Sequence, residues 1–270
     1  MRNVSPLGIL LLGLGLAAAA SADVTIQMKK TDHLGSKKPE VSTGAMSLNA
    51  SCFATRWSGK EEAHDRMIFR GDRNVMWFVN DDKKSYQQID EATIDRMAGQ
   101  MADARAQMKA RLAQMPPERR AEAEAMMKRF DTGRPSASKI DYRRIGATKR
   151  IGGHLCTEYD SYYDKDLQAH LWVAPYSALN VSPADAAVFK RMGEFFGKLT
   201  GAMGGAQKQD YVPLHELNGI PLLTQDVDDG KVTAETLVES ISRAPIAAST
   251  FQVPAGYKME AMPEMRPRKK

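Results

Sequence analysis

The sequence predicts an α+β protein, a large curved antiparallel sheet in a single domain with helical insertions laid over it. Three observations carry that expectation. Strand-length apolar or alternating runs recur between turn signals from Val24 to Val253. The segment from Glu91 to Phe130 instead repeats apolar residues every three or four positions. Neither an internal repeat nor a shift in composition divides the chain, and a sheet of this length is compatible with one domain.

Residues 1–22 read as an export signal and not as part of the fold. Arg2 supplies the positive end, Leu7 to Leu16 the apolar stretch, and Ala20-Ser21-Ala22 a small-residue cleavage site. The apolar stretch is too short for a membrane span. The first cysteine is Cys52, so no lipid-anchor cysteine stands at the cleavage point. A periplasmic or secreted protein beginning near Asp23 is expected. Losing Arg2 from 38 basic residues leaves 37 against 33 acidic, a mild net charge of +4. Nucleic-acid binding normally shows clustered basic stripes, and none is present internally. Arg266, Arg268, Lys269 and Lys270 make a basic end, so 258–270 is expected to be a disordered tail with at most weak affinity for a membrane surface.

Within 23–257, Val24–Lys30 and Ala45–Trp57 are expected strands, followed by Arg66–Arg70 and Val75–Val79 around Gly71-Asp72. Val75-Met76-Trp77-Phe78-Val79 is apolar throughout, as suits a strand covered on both faces. Ser85–Ile89 returns after a turn at Asn80 to Lys83. In the insertion 91–130, Ile94, Met97, Met101, Ala104, Met108, Leu112 and Met115 share one helical face. A second helix starts at Pro116-Pro117, where proline is tolerated. Strands resume at Lys139–Ile145, Gly153–Tyr163 and Leu167–Val173, the last two joined by a tight hairpin at Asp164 to Asp166. A further helix, 183–200, has a marked start in the capping box Ser182-Pro183-Ala184-Asp185 and an apolar face of Val188, Met192, Phe195, Phe196 and Leu199. Gly219–Val227 and Lys231–Ile241 meet at Asp228-Asp229-Gly230, and Ser249–Val253 is a final extended piece.

Signatures of enzymes are missing. His215-Glu216 opens an H-E-x-x-H pattern, but Gly219 stands where the second histidine belongs. No nucleophile elbow or P-loop occurs, so a non-enzymatic protein without a cofactor is expected. The methionines admit three readings: gap-filling core, an adaptable apolar contact surface, or thioether ligation of Cu(I) through a pair such as Met97 and Met101. Trp77, Phe78, Trp172 and Phe195, with Met97, Met101 and Met108, are the candidate lining of an apolar site. Cys52 and Cys156 would either form one disulfide, contributing about 4–5 kcal/mol in the chain-entropy model, or remain two buried thiols.

Several blocks in order resemble bacterial domain-of-unknown-function family 4412. They are Val75-Met76-Trp77-Phe78-Val79, Lys84-Ser85-Tyr86, Met115-Pro116-Pro117-Glu118, Gly153-His154-Leu155-Cys156-Thr157, Val173-Ala174-Pro175, Ser182-Pro183-Ala184-Asp185 and Phe251-Gln252-Val253-Pro254-Ala255-Gly256-Tyr257. That plan is similar to the periplasmic lipoprotein-carrier and receptor group. The resemblance implies a strongly curved antiparallel sheet forming an incomplete β-barrel, with helices as lid or plug. It also implies an apolar ligand, such as a lipid or a lipoprotein acyl chain, held in the concavity. The alternative is a cell-envelope interaction protein whose concavity is filled by its own helices.

Overall fold

The computed structural model describes residues 23–34, 38–59, 65–116, 140–163, 165–202 and 216–261. Twelve strands form one sheet in the order β12-β6-β5-β4-β3-β2-β1-β11-β10-β9-β8-β7. Every neighbouring pair is antiparallel except β12 with β6. The order begins at β12 and ends at β7, so the sheet is not closed. In chain order the strands are β1 Val24–Asp32, β2 Glu40–Leu48, β3 Cys52–Ser58, β4 Asp65–Arg70, β5 Val75–Asn80 and β6 Ser85–Ile89. After helix α1, Glu91–Ala113, come β7 Ile140–Ile151, β8 His154–Tyr163 and β9 Asp166–Pro175. Helix α2, Pro183–Ala202, precedes β10 Gly219–Asp228, β11 Lys231–Ser242 and β12 Lys258–Met259.

The expected strand Ala45–Trp57 is two strands, because Asn49 turns the chain. Its side-chain oxygen accepts hydrogen bonds from the backbone N–H groups of Ser51 and Cys52 at 3.0 and 2.8 Å, closing an Asx turn. The β2–β3 pair needs a close approach on one face. A Cβ at Gly44 would lie 2.6 Å from the Trp57 ring, so glycine is required opposite the indole. At the β10–β11 hairpin, Asp229 and Gly230 take φ of 47° and 72°, the pair of positive values that a tight two-residue turn demands. The exposed edge strand β7 carries Arg143, Arg144, Lys149 and Arg150 and a bulge at Gly146, a charged and kinked edge that resists pairing with another chain.

Two expectations about the end of the chain are corrected. Ser249–Val253 is not extended, since Ala248–Phe251 makes a 3₁₀ turn. The tail does not begin at 258, because Lys258 and Met259 pair with Ser85 and Tyr86 on the free edge of β6. The stretch from Ile246 to Tyr257 forms a strap over the outer face of β3–β6. There Phe251, Ile246, Val253 and Tyr257 pack on Ala54, Ile68, Val79 and Trp77. Polar ties fix the strap at both ends: Ile246 N–H donates to Asp23 and the Tyr257 hydroxyl donates to Asp81 at 2.9 Å. The second helix of the 91–130 insertion and the basic end 262–270 lie outside the described residues.

A half-buried carboxylate near the end of β10 gives a pH-dependent expectation. Burial pushes the Asp226 carboxyl above its ordinary value, Lys30 partly offsets that, and Asp32 adds to it. With the folded value raised, the native state holds its proton at a pH where the unfolded chain has lost it. The penalty is therefore absent below the ordinary carboxylate range and grows as pH rises through the folded value. Asp226→Asn is expected to raise the thermal midpoint at pH 7 and to change it little near pH 3, read by thermal denaturation at both.

Candidate functional site

One hydrophobic cluster runs across the inner face of the sheet, joining Val24, Ile26 and Leu48 to Phe53, Phe69 and Met76, and to Cys156, Ala174, Ile220 and Leu222 at the other end. Helix α2 supplies the side chains at its centre. Val188 and Phe189 are 0% exposed, Met192 2%, Phe195 6% and Leu199 8%. Phe189 meets Phe53 edge-on with ring centres 5.9 Å apart, and Phe195 lies 5.4 Å from Phe69. These spacings fall within the favoured range for aromatic pairs. The apolar face of α2 thus packs against the inner face of the sheet.

Its first turn is fixed by the capping box that the sequence marks. Ser182 Oγ accepts the Asp185 N–H at 3.1 Å, and the Asp185 carboxylate accepts the Ser182 N–H at 3.0 Å. Arg243, just past β11, donates to the same carboxylate at 3.1 Å, although Asp185 is 1% exposed.

Helix α1 is held mainly at its base. Asp90 caps it by accepting the Thr93 N–H at 2.8 Å, Gln88 donates to Asp90, and the Trp77 indole N–H donates to Gln88 at 2.9 Å. Those bonds hold the Asp90 carboxyl below its ordinary value, with the Thr93 interactions the largest cause. Thr93 and Ile94 are buried at this end and Leu112 near the other. Lys198 of α2 reaches Glu91 at 3.0 Å in an exposed ion pair.

The expected site residues therefore separate. Met97, Trp172 and Phe195 belong to or pack against the inner cluster. Met101 is half-buried and Met108 is 49% exposed, so the methionine stripe follows the core only near its start. Trp77 packs with the strap on the outer face, and Phe78 is 40% exposed. Met97 is half-buried and packs against the edge of the inner cluster. Cys52 and Cys156 are free and buried, the second of the two alternatives that the sequence leaves open. The reason is topological: Cys52 lies in the outer cluster and Cys156 in the inner one, with the sheet between them. Burial pushes both thiols upward, away from the reactive thiolate form.

Two features escaped the sequence reading. Phe189 shares the α2 stripe at the i+1 position beside Val188, which widens the apolar face buried in the inner cluster. The other is a cluster of Glu158, Asp160 and His170, whose ligand-type atoms lie within 4.8 Å of one another. The β8–β9 register places His170 opposite Asp160, and its Nδ1 is 2.7 Å from the carboxylate, which also accepts the Tyr162 hydroxyl at 3.3 Å. Folding the hairpin at Asp164–Asp166 on paper would have found this pairing. A carboxylate–imidazole set of this kind can orient a proton or join in holding a divalent ion. The neighbouring hydroxyl, Ser161, faces the other side of the sheet by strand alternation.

No family model matches the chain, and neither does any curated protein. Among solved structures, an uncharacterized conserved protein from Thermus thermophilus superposes with a TM-score of 0.46 at 9% identity, covering 90% of this chain and 92% of that one. PNGF-II gives 0.43 at 8% identity, over 89% of this chain and 31% of that one. A Pseudomonas aeruginosa MucA/MucB structure gives 0.36 at 10% identity, over 85% of this chain and 55% of that one. Among the described residues no helix is long and apolar enough to cross a membrane.

Proposed function

We propose that this chain is an exported, non-enzymatic binding protein of the cell envelope. Its apolar hollow is filled permanently by its own helix α2, and its partners meet the surface outside that hollow. The observation that supports this reading most is the complete burial of Val188, Phe189 and Met192 among inner-face side chains of the sheet. A lipid or acyl chain entering that space would first have to expel α2. Expelling five apolar side chains forfeits their burial at roughly 25 cal/mol per Å², so a guest would have to recover that whole area before adding any net affinity.

The expectation of an apolar partner moves, on this reading, to α1. Met101 and Met108 offer unbranched thioether side chains, which adapt to irregular apolar surfaces. They suit a hydrophobic segment of an envelope protein met at the surface. The test is solvent extraction of gently purified mature protein, together with titration of a fluorescent fatty acid. Empty protein that ignores the probe is the expected result. Stoichiometric lipid recovered from repeated preparations would restore the carrier reading and remove this one. Met108→Asp should leave the denaturation midpoint nearly unchanged, with a stability effect within about 0.5 kcal/mol, because the side chain is already in water.

A further inference from the structure

On the outer face, away from the α2 plug, the strap Ser249–Ala255 and strands β2, β3 and β4 enclose a half-open cleft of about 460 Å³. That volume falls within the usual range for small-molecule sites. Its lining is unlike the inner face: Ser47, Ser249, Thr250, Arg56 and Arg66 stand among small apolar residues.

Among the described residues the charges in this cleft do not balance, and Asp81 is the carboxylate that serves both arginines. It pairs closely with Arg66 and accepts the Tyr257 hydroxyl, while Arg56 reaches it only at 4.0 Å. Two guanidinium groups thus share one carboxylate that the strap also uses. Arg66 has a second deficit. Its side chain is 18% exposed, and its Nε N–H is buried with no acceptor among the described residues. A buried donor without a partner is destabilising, so a small shift of the Arg66 side chain that brought this N–H to an oxyanion in the cleft would be favoured. Arg56, 61% exposed, keeps the freedom to turn towards the same oxyanion. Guanidinium groups match planar carboxylates through paired, charge-assisted hydrogen bonds.

We propose that this cleft binds a small organic carboxylate, with the Arg66 Nε N–H and the Arg56 guanidinium on the carboxylate and the strap hydroxyls on the rest of the molecule. The site is independent of what fills the hollow. Because the strap provides one wall, occupancy would tie Ser249–Ala255 more firmly to β2–β4.

The test uses the full mature chain and isothermal titration with glutarate and citrate. Glutaramide serves as the uncharged control and inorganic phosphate as the alternative anion. Saturable binding of a carboxylate probe is expected, with none for glutaramide. Arg56→Gln should weaken that binding by about tenfold, the loss of one charge-assisted contact, while leaving the thermal midpoint of the exposed position unchanged. Thr250→Val, which keeps both arginines and Asp81 intact, should weaken it by a smaller factor. The proposal is overturned if neither carboxylate saturates at about 10 mM, a range that still detects millimolar affinity. Binding unaffected by Arg56→Gln, or phosphate binding where both carboxylates fail, overturns it equally.

Discussion

Phe189→Ala is expected to destabilise the protein by about 3–5 kcal/mol, the usual loss for a large aromatic removed from a close-packed interior. Phe189 is 0% exposed and packs edge-on against Phe53. Its neighbours on α2 are held in turn by Phe69 and by strands from both ends of the sheet, so collapse around the void would require the plug to shift as a body. A domain is typically stable by only about 5–15 kcal/mol, so the loss is a large share of the total. Urea denaturation should show a lower midpoint with an unchanged slope, the signature of lost stability without a change in the surface exposed. Loss of less than about 1 kcal/mol would mean that α2 is not seated in the hollow, and the permanent-plug reading would fail with it.

Which helix is buried against the inner face of the sheet was only half legible in the sequence. Both helices show a 3.6-residue apolar period, and the longer methionine stripe of the 91–130 insertion drew attention first. The difference lies in the width of the two faces. On α1 the stripe thins to Ala104 and is flanked by Asp103, Arg105, Lys109 and Arg111, so little of it can be buried. On α2, Val188 with Phe189 and Phe195 with Phe196 double the stripe at two levels, enough to pack on the inner face of the sheet. Local chemistry was read well. The Ser182–Asp185 capping box, the Asp229-Gly230 turn and most strand positions follow from side chains within a few residues of each other.

The misses are long-range or depend on one side chain. Asn49 breaks an apparently continuous strand because its amide competes for two backbone N–H groups, an outcome that apolar periodicity does not register. The outer cleft joins Arg56 and Arg66 to a strap nearly the whole chain away. The parallel pairing of Lys258–Met259 with β6, which holds that strap down, carries no apolar pattern at all. The same limit applies to the cysteines. Spacing alone leaves a bridge open, and only the assignment of each thiol to its own face of the sheet excludes it.

The second large effect is expected at the far end of the plug. Arg243→Met should cost about 3 kcal/mol, because it leaves the Asp185 carboxylate buried with a single backbone donor. Breaking a buried ion pair from one side exposes the full desolvation cost of the remaining charge. The lower end of the usual range applies, since the Arg243 side chain is 30% exposed and water can partly reach the vacated space. Neutralising the survivor should reverse much of the loss. In Asp185→Asn combined with Arg243→Met, the amide oxygen can still accept the Ser182 N–H and keep the cap, with no charge left to desolvate. The double variant is therefore expected to be more stable than Arg243→Met alone, with a coupling of at least about 1 kcal/mol in a denaturation cycle of the four proteins. Additivity of the two changes within about 0.5 kcal/mol would show that Arg243 does not neutralise Asp185 in the folded state. The anchor of α2 would then rest on its capping box alone.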